Sequence, residues 1–289
     1  MKKVTKDCLR EVFQKRNSFS SKYDNGFLLI LGGGEYYTGA PAISGLAALR
    51  SGVDMVRIMA PKRASDIIAS FSPNLATFSL KGDLLEEEDL VDMLSLTKAA
   101  ENVAKDKVAV LVGGGLGRSL TTQKTVADYL TQIKVKKIID ADGIYAIADN
   151  PLLAKGCLVT PRIHEFFVLT KKDIQNLSFE EKSVIIQEEA LRLGCVMLLT
   201  GEKDIISDGK ETFFNETGSP CMTVAGTGDT LSGIAGSLIS QGIDLFSAAK
   251  ASAFLNGMAG ERSAKKFGVG MLSTDLIEEI PLLIKEYGV

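Results

Sequence analysis

The chain contains no tryptophan, one histidine and four cysteines among 289 residues. A single histidine, His164, cannot build the usual zinc sets, because Cys8, Cys157, Cys195 and Cys221 are dispersed and none stands in a CxxC pair. No protein-held metal site is therefore predicted. The same scarcity weakens a Ser-His-Asp hydrolase: His164 would have to be its base, and no GxSxG elbow is present. Three of the cysteines lie in or beside apolar runs, which predicts buried thiols and a reducing compartment. No stretch approaches the roughly 18 uninterrupted apolar residues of a membrane span, and the early lysines are not followed by a signal-peptide core. The expectation is a cytoplasmic protein with no membrane partner. Positive charge is not in excess either: a formal net charge of −3 gives no reason to approach nucleic acid, so a small-molecule ligand is expected. The familiar nucleotide fingerprints are also missing, since GxxxxGK[ST] is absent and 113-GGGLGR-118 lacks the third glycine of GxGxxG. Asn215-Glu216-Thr217 fits a glycosylation acceptor, which matters only in a secreted chain.

What is present is the material for a large core. Hydrophobic residues make up 45% of the chain, and the length fits one α/β domain over residues 1–289. Short apolar runs that end in glycine or acid recur at 27–31, 54–60, 108–112, 136–140, 157–160 and 195–200, predicting strands buried on both faces. Helices are predicted between them over 41–51, 86–98, 121–133 and 179–193, some opened by caps such as Thr121 and Ser178. This alternation implies an α/β fold with a doubly wound, mainly parallel sheet flanked by helices. Beyond residue 200, two short strands around Asp208-Gly209 predict an antiparallel edge hairpin, and helices are predicted over 227–241, 244–266 and 273–286.

In such a sheet, ligands bind beyond the carboxyl ends of the strands. Gly32-Gly33-Gly34, Gly113-Gly114-Gly115 with Gly117, and Gly226 with Gly228 all fall there, as do Asp140 and Asp142. The 32–34 triplet alone predicts only a tight turn or close backbone packing. The stretch TVAGTGDTLSG, 223–233, says more. After Asp229, apolar residues at 231, 234, 235, 238 and 239 follow helical spacing, so Gly226-Thr227-Gly228 lies at a helix N-terminus. Free amides and the helix dipole there suit an anion such as phosphate. Asp229 in the first turn is expected as the ion, ready to accept a proton. The plain alternative makes Thr227 or Asp229 an N-cap. A cap leaves unexplained the flanking glycines and Gly233 and Gly236 inside the helix, each costing about 1 kcal/mol relative to alanine. These glycines favour a functional reading. His164 reads as an exposed loop or helix-start residue.

Together, 32-GGGEYYTGAPAISGLAALRSGVDMV-56, 112-VGGGLGRS-119, 139-IDADGIYAI-147, 159-VTPRIHEF-166, 199-LTGEKD-204 and 215-NETGSPCMTVAGTGDTLSGIAG-236 resemble one family. It is the ADP/ATP-dependent NAD(P)H-hydrate dehydratases of the ribokinase-like superfamily. The resemblance implies the ribokinase-like form of the fold and a repair reaction on nicotinamide cofactor whose reduced ring has taken up water. ADP or ATP, carried with Mg2+, would phosphorylate the ring hydroxyl of the S-epimer. Loss of phosphate would restore NADH or NADPH, with release of AMP or ADP. The resemblance makes Asp229 the catalytic base and Ala40, Gly115, Arg162 and Asp229 the hydrate contacts. The nucleotide contacts it implies are Thr200, Gly201, Glu202, Lys203 and Asp204, with Gly226, Thr227 and Gly228. The chain departs from the family where Arg162, Ser21 and Asn256 stand for a usual histidine and Thr200 for a usual lysine. His164, two places from Arg162, does not restore the pattern. Arg162 retains bidentate donors for a pyrophosphate oxygen, whereas Thr200 cannot supply the lysine charge. The resemblance also implies a homo-oligomer, tetrameric as is frequent in the family, and no epimerase domain is expected in this length. Two other readings use the same residues: a ribokinase-like small-molecule kinase, and a nucleotide- or cofactor-binding relative without turnover.

Overall fold

The computed structural model describes residues 1–287; Gly288 and Val289, the end of the expected 1–289 domain, lie outside the described residues. A short strand β1 (Lys2–Lys3) and helix α1 (Asp7–Val12) precede the first buried strand, β2 (Phe27–Leu31). The alternating part continues through α2 (Ala40–Arg50), β3 (Met55–Pro61), α3 (Lys62–Phe71), β4 (Ala76–Leu80), α4 (Leu90–Ala104), β5 (Val108–Val112), α5 (Leu120–Gln132), β6 (Lys136–Ile139) and α6 (Asp142–Ala146). Then come β7 (Cys157–Val159), α7 (Ile163–Thr170), α8 (Phe179–Leu193), β8 (Val196–Leu199), β9 (Asp204–Ser207) and β10 (Thr212–Asn215). The chain closes with α9 (Thr227–Ser240), α10 (Leu245–Phe267) and α11 (Ser273–Tyr287). Among the described residues, no helix is long and apolar enough to cross a membrane.

All ten strands form one sheet in the order β1-β10-β9-β8-β7-β6-β5-β2-β3-β4. Pairing is parallel from β8 to β4 and antiparallel at β8–β9 and β9–β10, the doubly wound arrangement that the sequence pattern implies. The hairpin is not the outermost element, because β1 adds in parallel to β10. Alternate residues of β2 serve two apolar layers: Leu28 and Ile30 face α1, α2, α3, α9, α10 and α11, while Phe27, Leu29 and Leu31 face α4 to α8. That double burial is why the strand reads as a continuous apolar run. The chain leaves β2 toward β3 on one side and returns to β5 on the other, so the loops after β2 and β5 part company at this switch point.

Sequence spacing misplaces one cap and leaves β1, α1, α3, β4, α6 and α7 out of the expected set. Ser119, not Thr121, caps α5, its hydroxyl accepting from the Thr122 amide at 3.1 Å; Thr121 lies inside the helix. Ser178 caps α8 in a reciprocal pair with Glu181, as its spacing suggests. Strand β4 is absent from the expected set because ATFSL is short and half-buried near the sheet margin, and α3 is absent because KRASDIIASF is polar on average.

Candidate active site

Helix α9 carries the glycine-rich turn, and its N-cap is Gly226 at φ +97°, with no side-chain cap. The plain N-cap alternative is therefore incorrect. The Thr227 hydroxyl turns back to the Met222 carbonyl at 2.9 Å, and Asp229 makes no cap bond. Among the described residues, no protein acceptor meets the amides of Thr227, Gly228 and Asp229. Three N–H groups thus open together at the positive end of a 14-residue helix. The first turn is pinned from below: Asn256 of α10 donates from Nδ2 to the Thr227 carbonyl at 3.2 Å, and its Oδ1 lies 2.7 Å from the Thr230 hydroxyl. Asn256 is buried and orients the turn.

The functional reading of Gly233 and Gly236 is corrected by the packing. A Cβ on Gly233 would stand 2.2 Å from the Ser44 carbonyl oxygen of α2, and one on Gly236 would meet the Leu28 side chain at 2.9 Å. These glycines let α9 lie flush on α2 and on the sheet. They face packed protein and set where the helix points.

Asp229 stands over the switch point. A Cβ added to Gly114 would fall 2.7 Å from Asp229 Oδ1 and 3.2 Å from the Ala40 Cβ, so the acid, the β5 loop and the start of α2 converge. Gly115 lies under Tyr37, whose carbonyl would be 2.5 Å from a Gly115 Cβ. The structure therefore brings Ala40, Gly115 and Asp229 together, and Arg162 joins them from α7. A Cβ on Gly228 would lie 3.6 Å from Arg162 Nη2, and the arginine charge draws the Asp229 carboxyl down. Burial is the stronger influence and pushes Asp229 up to about 6, with the neighbouring Asp142 adding to the rise. Burial thus opposes the ionisation that the helix end favours. At neutral pH it is still mostly the carboxylate, but one poised to take a proton.

Asp140, the first acid after β6, is pushed up to about 7 by burial and then by the charges of Asp229 and Glu165. The Thr160 hydroxyl donates to its Oδ1 at 2.8 Å. Asp142 takes a different part: its carboxylate accepts from the Gly117 amide at 3.0 Å and from Arg118 Nε at 2.8 Å. Arg118 stands over the Tyr145 ring, with Cζ 3.6 Å from the centroid. A cavity of about 400 Å³ opens here between Tyr36, Tyr37, Gly115, Arg118 and Asp142. Sequence spacing marked the two acids but gave no signal for their partners, which come from the residue after β7 and from the loop after β5.

The 200–204 stretch reaches the site from the other side. The Thr200 amide donates to the Pro161 carbonyl at 3.0 Å, tying the end of β8 to the residue before Arg162. Gly201, Glu202 and Lys203 are exposed, with Lys203 Nζ paired to Glu216 at 2.8 Å. Asp204 is engaged inside the turn, accepting from the Gly201 amide at 3.2 Å and from Asn215 Nδ2 at 3.0 Å, and burial pushes it up to about 6. Its direct contact is with the turn, which it closes. Two marked residues stand elsewhere. His164 is exposed on α7 beside a second cavity with Phe167 and Asp173, as its isolated reading suggests. Ser21 precedes β2, and in that same segment a Cβ on Gly26 would meet Ser240 at the far end of α9.

Comparison with known proteins covers nearly the whole chain. A sequence profile described as NAD(P)H-hydrate dehydratase matches residues 28–282. A bifunctional NAD(P)H-hydrate repair enzyme from Pyrobaculum aerophilum is 37% identical over 275 residues, which is 94% of this chain and 53% of that protein. The chain thus spans about half the length of such bifunctional relatives. An ADP-dependent (S)-NAD(P)H-hydrate dehydratase from Nitrosopumilus maritimus is 36% identical, covering 99% of this chain and 98% of that protein. A ribokinase-like superfamily protein from Enterococcus faecalis shares the fold, with a TM-score of 0.86 at 24% identity over 99% of this chain and 96% of that one.

Proposed function

Because this chain belongs to the NAD(P)H-hydrate dehydratase family, we propose that it repairs hydrated nicotinamide cofactor in an ADP- or ATP-dependent dehydration. One observation supports this most: a poised carboxylate, Asp229, sits in a helix turn with three open amides and faces the Ala40–Gly114 shelf at the switch point. The amides of Thr227, Gly228 and Asp229 are placed to neutralise a transferring phosphoryl group, and Asp229 is placed to take the proton of an attacking hydroxyl. In the proposed sequence the ring hydroxyl oxygen of the S-hydrate forms a bond to the terminal phosphorus of ADP or ATP as the bond to the departing AMP or ADP breaks. Inorganic phosphate then leaves from the ring carbon, and loss of a ring proton restores the double bond of NADH or NADPH.

Arg162 supports the phosphate end beside Gly228, with Ala40 and Gly115 on the hydrate side and Thr200 to Lys203 along the nucleotide. Asp204 contributes by closing that turn. Among the described residues, no cluster of three or more His, Cys, Asp or Glu forms a metal cage. A Mg2+ ion would ride on the nucleotide phosphates, with water completing its shell. When bound it would offset phosphate charge. The 1–289 segment is proposed to act as one unit without an epimerase function, in a homo-oligomer such as a tetramer.

The test adds purified protein and either ADP or ATP to NADH or NADPH hydrate and follows recovery of the dihydronicotinamide absorbance together with inorganic phosphate. Recovery with stoichiometric phosphate is expected. A stable phosphorylated product would instead identify a kinase, and nucleotide binding without turnover a binding relative.

A further inference from the structure

Arg118 has no assigned part in the chemistry above, yet it is held more firmly than an exposed arginine ordinarily is. Its Nε donates to Asp142 at 2.8 Å, and its Cζ lies over the Tyr145 ring, 3.6 Å from the centroid. Asp142 is fixed in turn by the Gly117 amide. One face and one edge of the guanidinium are therefore occupied, while among the described residues no protein acceptor meets Nη1 or Nη2. These four N–H groups form a preset fork in the wall of the 400 Å³ cavity, opposite Tyr36 and Tyr37. The cavity adjoins the Asp229 shelf through Gly115. The surroundings otherwise carry negative charge from Asp140, Asp142, Glu165 and Asp229, which opposes entry of any phosphate-bearing substrate. Arg162, the other arginine at the site, stands beside Gly228.

We propose that Arg118 is a specificity-determining residue that binds a phosphate group of the dinucleotide substrate, with its fork fixed by Asp142 and Tyr145. This rests on the hydrate-dehydratase reading above and adds the group that selects a dinucleotide over a smaller nicotinamide compound. The pyrophosphate bridge and the 2′-phosphate of NADPH share the required chemistry.

The experiment compares the parent protein with Arg118→Gln and Arg118→Lys on hydrates of NADPH, NADH and reduced nicotinamide riboside. Arg118→Gln is expected to raise KM for NADPH hydrate by about 10- to 100-fold, the scale of a lost charge-assisted pair, with kcat changed far less. Arg118→Lys should recover part of the loss. An equal penalty for NADH hydrate assigns the contact to the pyrophosphate, and a penalty confined to NADPH hydrate assigns it to the 2′-phosphate. Unchanged KM values, or an equal loss on the uncharged riboside, would overturn the proposal. If the parent does not turn over hydrate, the dehydratase reading fails by itself. Fluorescence titration of the same proteins with NADPH then decides the Arg118 contact: a weakened Kd in Arg118→Gln supports it, and an unchanged Kd removes it.

Discussion

At the scale of single residues, the proposed chemistry depends on one carboxylate that is costly to ionise and placed at the open turn. Replacing Asp229 with Asn keeps the shape and removes the base, so kcat for hydrate repair should fall by about 100- to 10,000-fold while nucleotide affinity, measured by titration calorimetry, persists. Because burial pushes Asp229 up to about 6, turnover in the parent should rise with pH through that value as the base form appears. A flat rate across that range would remove Asp229 as the base. Asp140 supports a separate prediction about stability. Its folded pKa is raised from 3.8 to about 7, so the stability linked to it is present below about pH 4 and is lost as pH rises through about 7. Asp140→Asn, which cannot ionise, should therefore gain on the parent by a few kcal/mol between about pH 5 and about pH 8, as read from urea unfolding.

At the scale of elements, the direction of α9 decides whether the turn works. The helix is buried over most of its surface and is pressed between α2, α10 and the sheet, with glycines at the closest crossings. Gly233→Ala would force a methyl group against the Ser44 carbonyl. It should destabilise the fold by about 1–3 kcal/mol in denaturant unfolding and lower turnover through the displaced turn. Asn256→Ala leaves the Thr227 carbonyl and Thr230 hydroxyl without their cross-helix partner, at a cost of about 1–3 kcal/mol. Both variants are expected to lose activity and stability together, whereas Asp229→Asn should lose activity alone. That contrast separates the residue that reacts from those that aim it.

At the scale of the whole molecule, the site lies at one end of the sheet and Ser21 at the other. A helix of 14 residues is about 21 Å long, and α9 runs from the open amides to Ser240, beside the segment that holds Ser21. Within one protomer, Ser21→Ala should therefore change kcat/KM for hydrate by less than about twofold, the effect of an ordinary surface substitution. A larger loss would mean that assembly brings this segment to another copy's site. The same separation explains why departures from a family pattern do not all carry equal weight. Arg162 and Asn256 lie within the constellation and Ser21 outside it, a distinction that chain position does not contain.

Much of the architecture was legible in the residues alone. Double burial makes continuous apolar runs, so β2, β5 and the βα rhythm stand out, and Asp208-Gly209 marks the hairpin because its turn chemistry is local. The glycine-rich turn at 223–233 and the helix it opens were legible for the same reason: glycines, acid and helical period all lie within one short stretch. Tertiary structure alone decided what depends on contacts between distant segments. It showed Gly233 and Gly236 to be packing residues, turned Asn256 into the anchor of α9 and closed Asp204 into its own turn. It also set Asp229 and Asp140 near neutral pKa values through burial and joined Arg118 to Asp142 and Tyr145. Local patterns specify backbone conformation and which faces are apolar. Proximity, desolvation and charge coupling arise only when the sheet order places separate loops at one switch point.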